Sequence, residues 1–186
     1  LALARLPSLE QLRYCAPGEW GKLLGLDRIP EVRTVRKKLA LLSDQQQASS
    51  WSAELCAQWM GEGPEQAAVL YVDGHVRVYH GHQTELPRHY VARQKLCLRA
   101  TTDYWVNAMD GQPFFVLNQA VDPGMLQVLE HEIVPRLAQE VPNQPTPEQL
   151  QADAKLHRFT LIFDREGYSP EFLRTMKAQR IACLTY

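Results

Sequence analysis

The stretch Ala67-Ala68-Val69-Leu70-Tyr71-Val72-Asp73-Gly74-His75-Val76-Arg77-Val78-Tyr79-His80 reads as a β-strand with an aspartate set in its middle. Strand alternation sends Tyr71, Asp73, His75 and Arg77 to one face, and Leu70, Val72, Val76 and Val78 to the other. One face is therefore apolar and suits a core. The other carries an acid, an imidazole and a guanidinium, as a strand lining a cleft would. A carboxylate within an apolar strand is costly unless something compensates it, and a divalent cation is the usual compensation. A hydrogen-bonded turn aspartate before Gly74 is the plainer alternative.

A second aspartate closes the run Phe159-Thr160-Leu161-Ile162-Phe163-Asp164, 91 positions after the first. It falls where a buried strand gives way to a loop, and in open α/β sheets ligands bind at that carboxyl end. A turn or helix-capping aspartate would look the same in isolation. Together, two carboxylates on two strands supply what a two-metal phosphoryl-transfer site needs.

Between and beyond these strands the pattern is mixed. Residues 81–100 read as irregular or weakly extended. Residues 102–109 and 113–121 read as strands joined at Asp110-Gly111, a two-residue hairpin signal. Residues 124–141 are helical, with Leu126, Leu129, Ile133 and Leu137 on one side and Pro135 expected to kink or split the helix. Thr146-Pro147-Glu148-Gln149 starts a polar helix. Ser169-Pro170-Glu171 caps another, reaching about Arg180, and residues 181–186 begin a last strand. The fold class is α/β with a mixed sheet.

The first sixty residues read as helices. Ser8 with Gln11 has the form of a capping box for a helix to about Ala16. Pro17-Gly18 should break it, and a second short helix runs from Glu19 to Leu24, ended by Gly25 in a left-handed conformation. Pro30 suits the first turn of a longer helix with Val32, Val35, Leu39 and Leu42 on one stripe. A further helix holds Trp51, Leu55, Trp59 and Met60, read as core. Gly61-Glu62-Gly63-Pro64-Glu65 looks like a linker. The expected organisation is a helical region over 1–62 and an α/β unit over 67–186.

The chain has 186 residues, 45% of them hydrophobic, enough to bury one core. Charge is uneven. Eight basic side chains face six acidic ones in residues 1–60, six face eleven in 61–150, and six face four in 151–186. Arg28, Arg33, Arg36, Lys37 and Lys38 surround a break like that of a helix-turn-helix and are candidates for binding DNA phosphates, or else an ordinary solvated helix face. His75, His80 and His82 invite a zinc reading, but alternation sends His75 away from the other two; His75 could instead touch a phosphate beside Asp73. Cys15, Cys56, Cys97 and Cys183 show no zinc spacing and read as reduced core residues of a cytosolic protein. No membrane-length apolar run is present.

On these residues the chain resembles bacterial insertion-sequence transposases of the DDE class. The likeness is carried by Tyr71-Val72-Asp73-Gly74-His75-Val76-Arg77-Val78-Tyr79-His80-Gly81, by Leu161-Ile162-Phe163-Asp164-Arg165-Glu166-Gly167-Tyr168-Ser169, by the hairpin strands, and by Leu24-Gly25-Leu26-Asp27-Arg28-Ile29-Pro30. It implies a ribonuclease H-like core with Asp73 and Asp164 sharing two Mg2+ or Mn2+ ions, and metal-dependent cleavage and strand transfer at insertion-sequence ends. It further implies double-stranded DNA as partner (transposon ends and target), Arg165 near the DNA, a homodimer on DNA, no membrane, and a cytoplasmic, nucleoid-associated location. In such enzymes Arg-Gly often follows the second Asp directly, whereas Glu166 intervenes here. The third acid is expected on a helix beyond Tyr186, since Glu166 and Glu171 are poorly placed, so this chain is expected to be inactive by itself. Another ribonuclease H-like nuclease, or a non-catalytic DNA-binding remnant, are the alternatives.

Overall fold

The computed structural model describes residues 6, 8–82, 84–91 and 94–185. The chain divides between Trp51 and Ser52 into two compact units. In the first, a 3-10 helix (Leu9–Tyr14) precedes α1 (Pro17–Leu23) and α2 (Val32–Asp44). Ser8 stands at the start of the 3-10 helix without a side-chain cap bond, so the capping box does not form. Pro17 opens α1 rather than breaking a helix, because the first helical position does not use the N–H that proline lacks. Gly25 does take the left-handed conformation, with φ +70. Of the α2 stripe, Val32 is buried and Val35 half-buried, while Leu39 and Leu42 are exposed.

The third helix, α3 (Ala48–Glu62), falls mostly within the second unit, so the division lies earlier than the glycine-rich stretch at 61–65. Its packing explains this: Cys56 and Met60 are fully buried in the core of the sheet unit. Trp51, expected in that core, is exposed, and Leu55 and Trp59 are half-buried.

The sheet is built on β1 (Val69–Val78), whose edges are taken by two different strands. On one side β3 (Leu96–Ala108) runs antiparallel, pairing Leu70 with Ala108 through Val78 with Ala100. On the other β5 (Thr160–Phe163) runs parallel, pairing Val69 with Thr160 through Val72 with Phe163. Outside β5 lies β6 (Ala182–Leu184), also parallel; β4 (Pro113–Gln119) pairs antiparallel with β3. Strand order β4-β3-β1-β5-β6, with three antiparallel strands followed by two parallel to the first, is the ribonuclease H-like arrangement. A short β2 (Arg88–Val91) also pairs with β3, inside the stretch expected to be irregular or weakly extended. Its sequence lacks a clean apolar alternation, and pairing supplies what propensity does not. The β3–β4 turn is longer than the two-residue hairpin expected at Asp110-Gly111: residues 109–112 form it, with Gly111 at φ +88.

One face of the sheet is a core. Leu70, Val72, Tyr104, Val106, Phe115, Leu161 and Phe163 are buried there. Covering them are α3, the helical run α4 (Met125–Val128), a π turn (Leu129–Ile133) and α5 (Val134–Glu140), and, after α6 (Pro147–Ala152), α7 (Pro170–Ala178). The wide turn lies directly ahead of Pro135, whose ring would collide with the carbonyl one turn earlier; the extra residue relieves that collision. Thr146 and Gln149 form the capping box of α6, and the Ser169 hydroxyl accepts from Phe172 N–H at 3.3 Å to start α7. Phe172, fully buried, meets Phe163 edge-on with ring centroids 5.8 Å apart.

Replacing Phe172 with Ala should cost about 3–5 kcal/mol of stability, the usual penalty for emptying an aromatic core site. Urea denaturation of wild type and variant measures it; a loss below about 1 kcal/mol would show that α7 does not anchor the sheet through this ring.

Candidate functional site

The β1–β5 pairing ends at Val72 and Phe163, so Asp73, within β1, and Asp164, just past the end of β5, each follow the last paired row of the two central strands. Neighbouring strands lie about 4.8 Å apart, which suits two carboxylates sharing a cation. Asp73 is exposed in mid-strand, and among the described residues its carboxylate has no hydrogen bond or ion pair. Asp164 is half-buried where β5 ends, and its Oδ1 accepts the N–H of Glu166 at 3.0 Å. That bond makes Asp164 the cap of a short 3-10 turn (Arg165–Gly167) and leaves its other oxygen uncommitted. Two hard oxygen donors of this kind fit Mg2+ or Mn2+, which keep several waters and bind through one or two carboxylates. Among the described residues, no group of three or more His, Cys, Asp and Glu side chains is placed to hold a metal ion.

The turn that carries Asp164 is fixed from below by Gly167. This residue is buried, and a Cβ there would come within 2.7 Å of Leu129 Cδ1 and 2.8 Å of Phe163 Cδ2. Only glycine lets the backbone after Asp164 lie directly on the π turn and β5.

A second carboxylate system adjoins it. Asp122, in the loop between β4 and α4, accepts from Tyr104 Oη at 2.6 Å, Gly124 N–H at 2.9 Å and Thr102 Oγ1 at 3.0 Å. Burial works to raise its pKa, but these three donors outweigh burial and hold it below the usual carboxylate value. The Tyr104 phenol is pushed well above its ordinary value, first by burial, then by Asp122, and further by the charges of Glu166 and Asp164. At Gly74 a Cβ would stand 3.2 Å from the Tyr104 ring, so the glycine after Asp73 gives this tyrosine its place. Neither Asp122 nor Tyr104 stands out in the sequence, since a loop aspartate and a strand tyrosine announce nothing singly.

Asp103 is another residue that sequence reasoning misses. It is almost fully buried on β3, opposite His75, where Arg77 pairs with it and the Asn118 amide donates to it. Alternation along β3 gives no sign of it, since Thr102, Asp103 and Tyr104 are buried in succession. Arg77 thus has a structural partner on the face it shares with Asp73. His75 is exposed on that same face, and Arg165 is exposed immediately after Asp164. Cys97, read as core, is exposed on β3. Cys56 is buried as expected, and burial, with Glu140 adding, raises its thiol to about 12.

The basic group of the first unit is exposed throughout: Arg28, Arg33, Arg36, Lys37 and Lys38. Arg36 is partly neutralised by an ion pair with Glu10. Arg28 and Arg33 line a cavity of about 460 Å³ together with Arg13. The turn between α1 and α2 is tight because Gly21 has no side chain; a Cβ there would lie 2.5 Å from Arg28 Cα.

The sequence matches the family described as "Transposase protein" over residues 1–186, its entire length. The chain belongs to that family of transposases. No curated protein matches this transposase-family chain. Among solved structures, it is similar to one described as "Mos1 transposase paired-end complex with left transposon end", at 9% identity and a TM-score of 0.37. That match covers 96% of this chain and 57% of the other, so the chain spans little more than half of that relative's length. Among the described residues, no helix is long and apolar enough to cross a membrane.

Gly167→Ala should destabilise the fold by about 1–3 kcal/mol, because the surrounding Leu129 and Phe163 are themselves packed. Thermal unfolding checks this, and an unchanged melting temperature would show that the turn under Asp164 yields freely.

Proposed function

We propose that the chain is the part of a DDE-type transposase that carries two of its metal-binding carboxylates, Asp73 and Asp164, and that it serves DNA strand cleavage and strand transfer at insertion-sequence ends. The observation that supports this most is the parallel β1–β5 register, whose last pair, Val72 with Phe163, is followed by an aspartate on each segment. Two bound Mg2+ or Mn2+ ions would activate the attacking oxygen and stabilise the leaving one. The protein's own part is positional. Asp73 presents its carboxylate from a strand held on both edges, and Asp164 is oriented by its bond from the Glu166 N–H. His75 and Arg165, exposed beside the two acids, are placed to meet a phosphate oxygen.

The α1–turn–α2 segment is read as the part that grips duplex DNA, through Arg28, Arg33, Lys37 and Lys38, with Arg36 shared with Glu10. A homodimer on DNA and a cytoplasmic, nucleoid-associated location belong to the same reading.

The carboxylate assignment is tested by Mn2+ binding to this chain, followed by electron paramagnetic resonance. Asp73→Asn and Asp164→Asn should each weaken binding by roughly tenfold or more, since each removes a charged oxygen donor. In a protein that cleaves its ends, either substitution should abolish cleavage and leave DNA binding near its original strength. Equal Mn2+ affinity in wild type and both variants would refute the shared site.

For the N-terminal group, Arg33→Ala with Lys37→Ala should lower the slope of log affinity against log salt by about 0.9 for each phosphate no longer held. Neither side chain has a partner among the described residues, so the melting temperature should hold. An unchanged slope would make the pair an ordinary solvated face.

A further inference from the structure

Pairing of β1 with β5 stops at Val72, but its pairing with β3 runs on to Val78, and β2 adds to β3 there. The strands therefore project past the edge where Asp164 ends β5, as an arm. Among the described residues of 75–99, the arm holds Arg77, Arg88, Lys95 and Arg99 against Glu85, with four of the six histidines in the chain. Cross-strand register decides which of them share a face. Asp73 pairs with Trp105 and His75 with Asp103; alternation then places Arg77, Tyr79 and Arg99 on the face of Asp73. Arg88 pairs directly with Arg99, so it joins that face too.

Two arginines directly opposite each other on adjacent strands repel, and such a pair is destabilising unless an anion stands between them. Among the described residues neither Arg88 nor Arg99 has a carboxylate partner, whereas Arg77 is paired with Asp103. Arg88 and Arg99 wall a cavity of about 390 Å³ together with His80, His82, Tyr79 and Cys97. This is a seat for a doubly coordinated anion, in line with the carboxylates on one strand face.

We propose that this arm is a second DNA-backbone site, in which Arg88 and Arg99 clamp a phosphodiester of the strand whose neighbouring segment lies at Asp73 and Asp164. The inference rests on the DNA reading above. The row of Arg99 lies six residues along β1 from Asp73, about 20 Å at strand rise. At about 3.4 Å of duplex axis per nucleotide, the clamp meets DNA about six nucleotides from the carboxylates. A polymer is favoured over a free anion because exposed His75 and the exposed Arg77, the latter shared with Asp103, lie on the same face between the clamp and Asp73.

The test is binding of the chain to a random-sequence duplex across a series of salt concentrations. Arg88→Gln with Arg99→Gln should lower the log–log salt slope by about 0.9, for the one phosphate the clamp no longer holds. Arg88→Lys with Arg99→Lys keeps the charge and should retain the slope, which separates a missing cation from a damaged fold. The Gln variant should still bind Mn2+ as wild type does, so this inference and the carboxylate reading fail independently. A wild-type slope in the Gln variant overturns the clamp, as does an equal loss in the Lys variant. Inorganic phosphate at matched ionic strength supplies the last arm. If it raises the melting temperature of wild type but not of the Gln variant while the slopes coincide, the seat belongs to a free anion and the proposal falls. If wild type retains no duplex at any salt, the DNA reading falls and the arm with it.

Discussion

The structure depends on the parallel pairing of β1 with β5. Leu70 and Val72 on one strand, and Leu161 and Phe163 on the other, put four apolar side chains on one face, all buried. Because side chains alternate with a period of two, a slip of β1 by one residue would turn Leu70 and Val72 outward and bring Tyr71 and Asp73 into the core. That slip is therefore opposed twice, once by apolar exposure and once by the burial of a carboxylate. The same register that secures the core holds Asp73 at the polar face and level with the end of β5. Stability and the placement of the acid are one constraint.

A site at a strand end also needs its loop held, and here the support comes from the helical layer. Gly167 lies against Leu129 and Phe163, so the π turn ahead of Pro135 serves as the floor under Asp164. Tyr104 reaches from β3 toward the Asp122 carboxylate, which in turn holds Gly124 at the start of α4. The helix floor and the acid-bearing turn are thus tied to the same two strands. Tyr104 feels Asp122, Glu166 and Asp164 together, all raising its pKa. Its hydroxyl keeps its proton, and so stays a hydrogen-bond donor among acids.

What could be read from the sequence follows how local each signal was. The strands around Asp73 and Asp164 showed plainly because alternation and apolar runs are short-range patterns, and the caps at Thr146 and Ser169 are complete within four residues. The signals that failed were those another part of the chain decides. Ser8 and Gln11 have the right spacing, yet the segment winds as a 3-10 helix and no cap bond forms. The strand Arg88–Val91 exists because β3 offers it an edge. Trp51 has the same chemistry as Trp59, but the core reaches α3 only from Cys56 onward. The buried Asp103 was invisible for a similar reason: its partners Arg77 and Asn118 come from two other strands.

Charge distribution follows the same rule at longer range. Averaged over residues 61–150 the chain is acidic, and that average hides a basic arm. Apart from Glu85, which lies in the arm, most of the acids responsible lie elsewhere or are already partnered. Asp103 is paired, Asp122 accepts three hydrogen bonds, and Glu140 is bound to Arg136. Glu130 and Glu132 are on the helical layer behind the sheet, and Glu148 is on α6. Folding separates the two signs, placing cations on the strand face that holds Asp73. An exposed anionic chain approaching that face meets the arginines of the arm with few competing carboxylates, and the strands then direct it toward Asp73, an acid that remains unpaired among the described residues. An electrostatic path of this kind is a property of the register, since the same residues with β2 shifted by one position would point Arg88 to the opposite side.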